Sequence, residues 1–425
     1  VCWSNAVGGL ILAQLKALGW TDNSTTATFS AITTAGMFLG ALVGGIIGDK
    51  TGRRNAFILY EAIHIASMVV GAFSPNMDFL IACRFVMGVG LGALLVTLFA
   101  GFTEYMPGRN RGTWSSRVSF IGNWSYPLCS LIAMGLTPLI SAEWNWRVQL
   151  LIPAILSLIA TALAWRYFPE SPRWLESRGR YQEAEKVMRS IEEGVIRQTG
   201  KPLPPVVIAD DGKAPQAVPY SALLTGVLLK RGILGSCVLI AMNVVQYTLI
   251  NWLPTIFMTQ GINLKDSIVL NTMSMFGAPF GIFIAMLVMD KIPRKTMGVG
   301  LLILIAVLGY IYSLQTSMLL ITLIGFFLIT FVYMYVCYAS AVYVPEIWPT
   351  EAKLRGSGLA NAVGRISGIA APYAVAVLLS SYGVTGVFIL LGAVSIIVAI
   401  AIATIGIETK GVSVESLSID AVANK

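Results

Sequence analysis

Ile47-Gly48-Asp49-Lys50-Thr51-Gly52-Arg53-Arg54 joins two long apolar runs, and a worn copy, Met289-Asp290-Lys291-Ile292-Pro293-Arg294-Lys295, joins two more. A second pair of motifs keeps nearly the same offset. Glu104-x-x-Pro107-x3-Arg111-Gly112 recurs as Glu346-x-x-Pro349-x5-Arg355-Gly356. Asp49 and Asp290 stand 241 positions apart, Glu104 and Glu346 242. Two motif pairs at almost one spacing imply a duplicated unit. The apolar runs around them make that unit a set of six membrane helices.

Working outward, the chain is 56% hydrophobic and only 12% charged, against about 25% charged in an ordinary soluble domain. A bilayer crossing takes about 20 apolar residues. Eleven runs qualify: 27–47, 55–73, 79–101, 114–136, 147–167, 232–254, 268–289, 297–314, 318–343, 357–380 and 384–406. A twelfth, Val1–Leu18, is shorter and starts without Met or a polar leader, so it reads as a first span truncated at its N-terminus. No cleavable signal is visible in the sequence, and this run carries no charged n-region. The expected fold is therefore all-α, a polytopic membrane protein of twelve helices in two six-helix halves. The halves are 1–168 and 231–425, the second with a short tail, and a polar cytoplasmic segment, 169–230, bridges them. Within that bridge Tyr181–Gln198 reads as a solvated helix and the Pro-rich stretch 201–219 as a loop. The bridge holds too little apolar material for a core of its own.

The net charge of +8 is not spread as a nucleic-acid surface would spread it. With the Asp49 loop placed in the cytoplasm, Lys50, Arg53, Arg54, Arg109, Arg111, Arg117, Lys291, Arg294, Lys295, Lys353 and Arg355 all fall on that side. The opposite short loops hold little beyond Lys16, Arg147 and Lys265. This positive-inside bias puts both termini and the bridge in the cytoplasm. Cys2, Cys83, Cys129, Cys237 and Cys337 all lie in apolar runs and lack metal-like spacing, so they read as small buried hydrophobes. No Ser/His/Asp set, metal-ligand set or phosphate-binding loop is present in the sequence, which gives no basis for an enzyme, a cofactor or a metal. Gly36, Gly40, Gly44 and Gly45, Gly88, Gly90 and Gly92, and Gly277 and Gly281 bring small residues to helix–helix spacing. Spacing alone leaves static packing and a sliding surface equally open.

Gly48-Asp49-Lys50-Thr51-Gly52-Arg53-Arg54 resembles the loop signature between the second and third spans of the major facilitator superfamily. Arg84-x3-Gly88-x-Gly90-x-Gly92 looks like that family's fourth-span motif. Pro169-Glu170-Ser171-Pro172-Arg173-Trp174-Leu175 and Glu408-Thr409-Lys410-Gly411 are similar to the paired signatures of its sugar-porter branch. The resemblance covers the whole chain and points to bacterial inner-membrane metabolite transport proteins. It implies a secondary active transporter that moves a sugar, polyol or sugar acid by alternating access, as a proton symporter and a monomer in lipid. The partners implied are a small-molecule substrate and a proton. An organic-ion or aromatic-acid transporter or exchanger is the alternative, and a non-transporting receptor of the same fold a distant one. Ala241, Met242 and Tyr247 stand where sugar porters carry a Gln pair and an Asn, and Cys337, Tyr338 and Ala341 replace their Gly-Pro-x-x-Trp. These departures put an ordinary hexose site in doubt. Gly364-Arg365-Ile366-Ser367 looks more like the organic-ion branch.

The resemblance also implies a gating network of charges at the cytoplasmic helix ends: Asp49, Arg53, Arg54, Glu104, Arg111, Glu170, Arg173, Asp290, Glu346 and Arg355. In the family such charges pair across the halves when the inner side closes. Each exposed pair is weak, but several together bias a two-state equilibrium. Ionisable groups inside apolar runs need a reason to be there. Arg84 near the outer end of its run supports helix packing or proton coupling. Glu61 and His64, the only histidine, share a face three residues apart on the third span. Both a proton relay and a structural hydrogen bond remain open for them. Substrate contacts are expected from Asn5, Asn123, Trp124, Gln246, Tyr247, Asn251, Tyr338 and Asn361, whose amides and rings suit polar organic solutes. Arg365 either holds a substrate carboxylate or pairs with an acid of its own half. The amides outnumber this single charge, which favours neutral polyhydroxylated solutes.

Overall fold

The computed structural model describes residues 2–105, 111–200, 202, 220–289, 291–349 and 352–410, the side chains of 99–105, 111–116, 220, 353 and 354 aside. All regular elements among them are helical. The first half runs α1 (Cys2–Ala17), α2 (Asn23–Thr51), α3 (Arg53–Ala72), α4 (Met77–Tyr105), α5 (Arg111–Asn123), α6 (Ser125–Leu136) and α7 (Ala142–Tyr167). Two short helices, α8 (Pro172–Ser177) and α9 (Tyr181–Thr199), follow it. The second half runs α10 (Gly226–Thr259), α11 (Leu264–Met275), α12 (Gly277–Val288), α13 (Arg294–Ser313), α14 (Met318–Cys337), α15 (Val344–Glu346) and α16 (Lys353–Ile405).

Local chemistry sets several of these boundaries. Asp22 caps α2, its carboxylate accepting from Thr25 N at 2.7 Å. Gly52, at φ 96°, turns the chain straight from α2 into α3, a conformation that disfavours any side chain. The fifth apolar run is broken between α5 and α6 and the eighth between α11 and α12. Pro127 and Pro279 explain both breaks, because neither can donate to the carbonyl four residues back, at Asn123 and Met275. The tenth run passes through a π-helical turn, Tyr338–Tyr343, just before Pro345. The last two runs form one element, α16, with non-helical backbone at Gly383 (φ 63°, ψ −159°) where the chain reverses.

Nine described stretches are long and apolar enough to cross a membrane, and one of them, Arg355–Ile405, has 51 residues. At about 1.5 Å per residue it spans two bilayers' thickness, in keeping with the reversal. Outward-facing side chains are apolar: Ile46 is 60% exposed, Leu158 58%, Val377 63% and Ile397 65%. In water that surface would be prohibitive, whereas lipid solvates it. The protein is a multi-pass membrane protein.

Two details of the bridge differ from the expectation. The seventh span starts at Gly226 rather than 231, since Leu223 and Leu228 are already buried in the main core. The first part of the bridge does have a core, a small one: Trp174, Leu175 and Ala184 bury one another. Trp174 Nε1 also donates to Asp49 O at 2.7 Å, which docks α8 beneath the first half.

Candidate functional site

Three clusters of polar residues emerge, one at the Asp49 face and two within the spans. At the Asp49 face, Glu170 reaches back across the bridge to the start of α3. Its Oε1 accepts from Arg53 N at 2.6 Å and Arg54 N at 3.3 Å. Arg53 Nη1 donates to Gly48 O at 3.0 Å and to Asp49 Oδ1 at 2.8 Å. The second half repeats the arrangement. Glu408 accepts from Arg294 N at 2.8 Å and Lys295 N at 3.1 Å, at the start of α13. Arg294 donates to Met289 O and holds Glu346 with two bonds of 3.0 and 3.1 Å. Arg53 and Arg294 are 241 positions apart, as are Gly48 and Met289. In each half, then, a carboxylate from beyond the sixth span satisfies the free N–H groups of a third-span N-terminus and meets its positive dipole end. Glu408 is pushed up by burial, but the N–H groups of Arg294, Lys295 and Lys410 and the Arg294 charge bring its carboxyl below the usual range.

Arg53, Glu170, Arg294, Glu346 and Glu408 make the contacts just given inside their own half. Arg54 donates to Trp165 O, Arg173 is exposed and Arg355 half-buried. Arg173 lines a cleft of about 290 Å³ with Asp49, Arg53 and Arg178. Asp290 and the side chains of Glu104 and Arg111 lie outside the described residues.

Between the halves, α1 lies on α10 at Gly8 and Gly9. A methyl group added to Gly9 would collide with Ile250 O and come within 3.0 Å of Asn251 Cα. Pro254 leaves that Ile250 carbonyl without its usual helical donor, so the close approach occurs where the backbone is already open. Asn271 Nδ2 of the second half donates to Ser130 Oγ of the first at 3.1 Å, leaving Asn271 Oδ1 buried without a partner among the described residues. Tyr126 and Tyr333 meet edge to face across the halves, their rings 5.4 Å apart. Gln246 and Tyr247 stand beside Tyr333, whose buried hydroxyl faces the side chains of Tyr126 and Gln246. Gly364 packs on Asn243 and Gly368 on Thr34 and Tyr247. Arg365 lies between those two contacts, half-buried, with a buried Nη1 that has no partner among the described residues. Unfilled buried donors and acceptors facing one interface suit a polar ligand.

Of the substrate candidates, Gln246, Tyr247, Asn251 and Arg365 gather here, and Asn5 is half-buried on α1. The others do not gather. Tyr338 is wholly buried inside the second half, stacked on Tyr343 at 5.0 Å and pressed on Gly298 of α13. The π turn rotates it away from the interface. Asn361 is exposed and bonded to Ser357 O. Asn123 is spent on Ser119 O at 2.7 Å, below the break at Trp124, which is itself 40% exposed. Sequence reasoning missed Ser130, Asn243 and Gln14. Gln14, in the apolar run of α1, is 1% exposed, with both side-chain polar atoms unpartnered among the described residues.

The third cluster lies within the first half. Arg84 is 3% exposed and points inward. Its Nε donates to Thr33 Oγ1 at 3.2 Å, its Nη1 to Ser4 O at 3.3 Å, and its Cζ lies 4.5 Å above the Phe29 ring. Ser4 Oγ is 2.9 Å from His64 Nε2, and His64 Nδ1 is 3.2 Å from Glu61 Oε2. His64 is 0% and Glu61 5% exposed. The three proton-coupling candidates therefore form one chain through α1.

The sequence profile described as Major Facilitator Superfamily matches residues 2–372. The chain belongs to that superfamily. It is 44% identical over 413 residues to the inner membrane metabolite transport protein YdjE of Escherichia coli, covering 97% of this chain and 90% of that one. It is 26% identical over 385 residues to the niacin transporter NiaP of Acinetobacter baylyi, covering 90% and 85%. Its fold resembles the partially occluded inward-open form of the E. coli xylose transporter XylE at a TM-score of 0.76 and 18% identity, covering 97% and 96%. XylE is also described as a proton:xylose symporter. The major facilitator fold and these relatives make the protein a secondary transporter, not an enzyme.

Proposed function

We propose that this major facilitator protein moves a small polar organic metabolite across a bacterial inner membrane, coupled to a proton. One observation carries the reading: where the second half meets Ser130 and Tyr126 of the first, its buried Asn271 Oδ1 and Arg365 Nη1 have no partner among the described residues, and Gln246, Tyr247 and Asn251 stand at the same interface. Rigid halves that meet on a polar patch can rock about a bound solute. The proton is supported by the buried Arg84–Ser4–His64–Glu61 chain and by likeness to a proton symporter. On this reading the Asp49 face is cytoplasmic, with both termini on that side, and the charges there bridge the halves in another state of the cycle. The amide-rich patch favours neutral polyhydroxylated solutes. The niacin transporter's likeness and the unpartnered Arg365 nitrogen support an aromatic acid as the second reading.

The test is thermal stabilisation of purified protein with D-xylose, myo-inositol, D-gluconate and nicotinate, followed by uptake of each hit into proteoliposomes. A ligand at 100 times its Kd stabilises by about 2.7 kcal/mol, so hits rank directly. Stabilisation by polyols or sugars with uptake is expected. Nicotinate binding that vanishes in Arg365→Lys supports the acid reading instead, because bidentate pairing favours Arg. Failure of all four to bind or move sinks both.

A further inference from the structure

We infer that His64 and Glu61 together form the site that carries the coupling proton, and that the Ser4 hydroxyl passes its state to α1. This deepens the proton-coupled reading above and rests on it. Arg84 is a buried cation whose described partners, Thr33 Oγ1, Ser4 O, Met87 Sδ and the Phe29 ring, are all neutral. A charge in that setting needs compensation nearby. Glu61 is the acid that faces the cluster, one histidine away. The other charges on the helices packed against α3 sit at helix ends: Asp49 and Lys50 on α2, Asp78 and Glu104 on α4, Glu143, Arg147 and Arg166 on α7. Tyr60 is committed to Gly44 O at 2.9 Å, and Cys83 packs on Gly71.

The cluster has two protonation states that the same atoms can hold. Unloaded, Arg84 is +1, Glu61 −1 and His64 neutral. Nδ1–H then donates to Glu61 Oε2, and Nε2 accepts from the Ser4 hydroxyl. Loaded, one proton from water sits on Nε2 and both ring nitrogens donate. The Ser4 hydroxyl must then accept from Nε2 and turn its own hydrogen elsewhere. An acceptor is waiting: Met68 Sδ lies 3.8 Å from Ser4 Oγ. Loading thus rotates one hydroxyl on α1 and adds one positive charge to the cluster. Ser4 O already holds Arg84 Nη1, and a methyl added at Gly8 would collide with the Arg84 guanidinium and lie 3.6 Å from Asn251 Oδ1. Across that glycine the charge change reaches the second half, beside the polar patch.

His64 is the only histidine in the chain. In protein carrying 15N-histidine and a tag free of histidine, the imidazole signals report this site alone, with no substrate needed. The parent is expected to show one titration step within about pH 5–8, the window in which imidazoles change charge. Glu61→Gln should remove the step from that window while the protein keeps its detergent melting temperature within a few degrees. In proteoliposomes with the potential clamped at zero and the interior one pH unit more alkaline, one proton per solute gives about tenfold accumulation, since one unit is ~1.4 kcal/mol. The probes are radiolabelled D-xylose and nicotinate. Glu61→Gln and Ser4→Ala are expected to equilibrate the transported probe but not to concentrate it. Parent imidazole signals flat from pH 5 to 8, or undiminished accumulation in Glu61→Gln, would overturn the site. A titration step in a parent that moves neither probe counts against the transport reading and leaves the proton site standing.

Discussion

Glu408 shows how one carboxylate far along the chain holds a distant helix start, and its titration makes that role measurable. Its carboxyl is raised by burial and brought below the ordinary 4.5 by the N–H groups of Arg294, Lys295 and Lys410. A group depressed in the folded state stabilises fully above its unfolded value and loses that contribution as the pH falls through the folded one. Melting in detergent should therefore fall below about pH 4.5, and Glu408→Gln, already lacking the charge, should melt lower at pH 7 and lose less on acidification. Equal pH slopes in the two proteins would count against the cap. At this scale the sequence was informative where an ionisable group interrupted an apolar run. Arg84, Glu61 and His64 were visible for that reason, and they prove to touch one chain of atoms. It was uninformative where helix rotation decides. Tyr338 and Asn361 share their spans with interface residues, but the turn that aims them depends on packing and on the π turn, neither of which a residue type encodes.

Between elements, glycine spacing turned out to mean close packing of α2 on α4. A methyl on Gly88 would meet Thr33 O, on Gly92 Met37 O, and on Gly40 Val89 O, all of it backbone that cannot swing aside. Gly92→Ala is expected to cost about 1–3 kcal/mol as overpacking does, seen as a lower melting temperature in detergent. Gly135→Ala, with open space around it, should not change it. Near-equal melting of the two would mean that α2 and α4 separate easily and would favour a sliding surface. The spans themselves were legible from run length. The breaks at Trp124 and Phe276 were not, although Pro127 and Pro279 stood in plain view. A proline in a membrane run can kink, break or simply be tolerated, and its neighbours decide which.

For the whole molecule, the repeated offset was the strongest signal, because it implied a duplicated unit, and Arg53 and Arg294, which the structure shows making matching contacts, stand at that same spacing. The side of the membrane rests on the Lys/Arg bias alone. Glu192 is exposed on α9, and the five native cysteines are free, Cys129 buried and the other four half-buried. Glu192→Cys in intact cells should resist a membrane-impermeant maleimide and react once the cells are opened. Labelling of intact cells would invert the topology. The carboxylates Glu170 and Glu408 carry a last consequence. Each half is fastened shut by a residue encoded after its sixth span, so the duplicated stretch is longer than its helices. Anyone dividing the gene into two co-expressed fragments should cut between 200 and 220, where each piece keeps its own fastener. A cut at 168, at the visible edge of the helix set, would hand the first half's fastener to the wrong polypeptide.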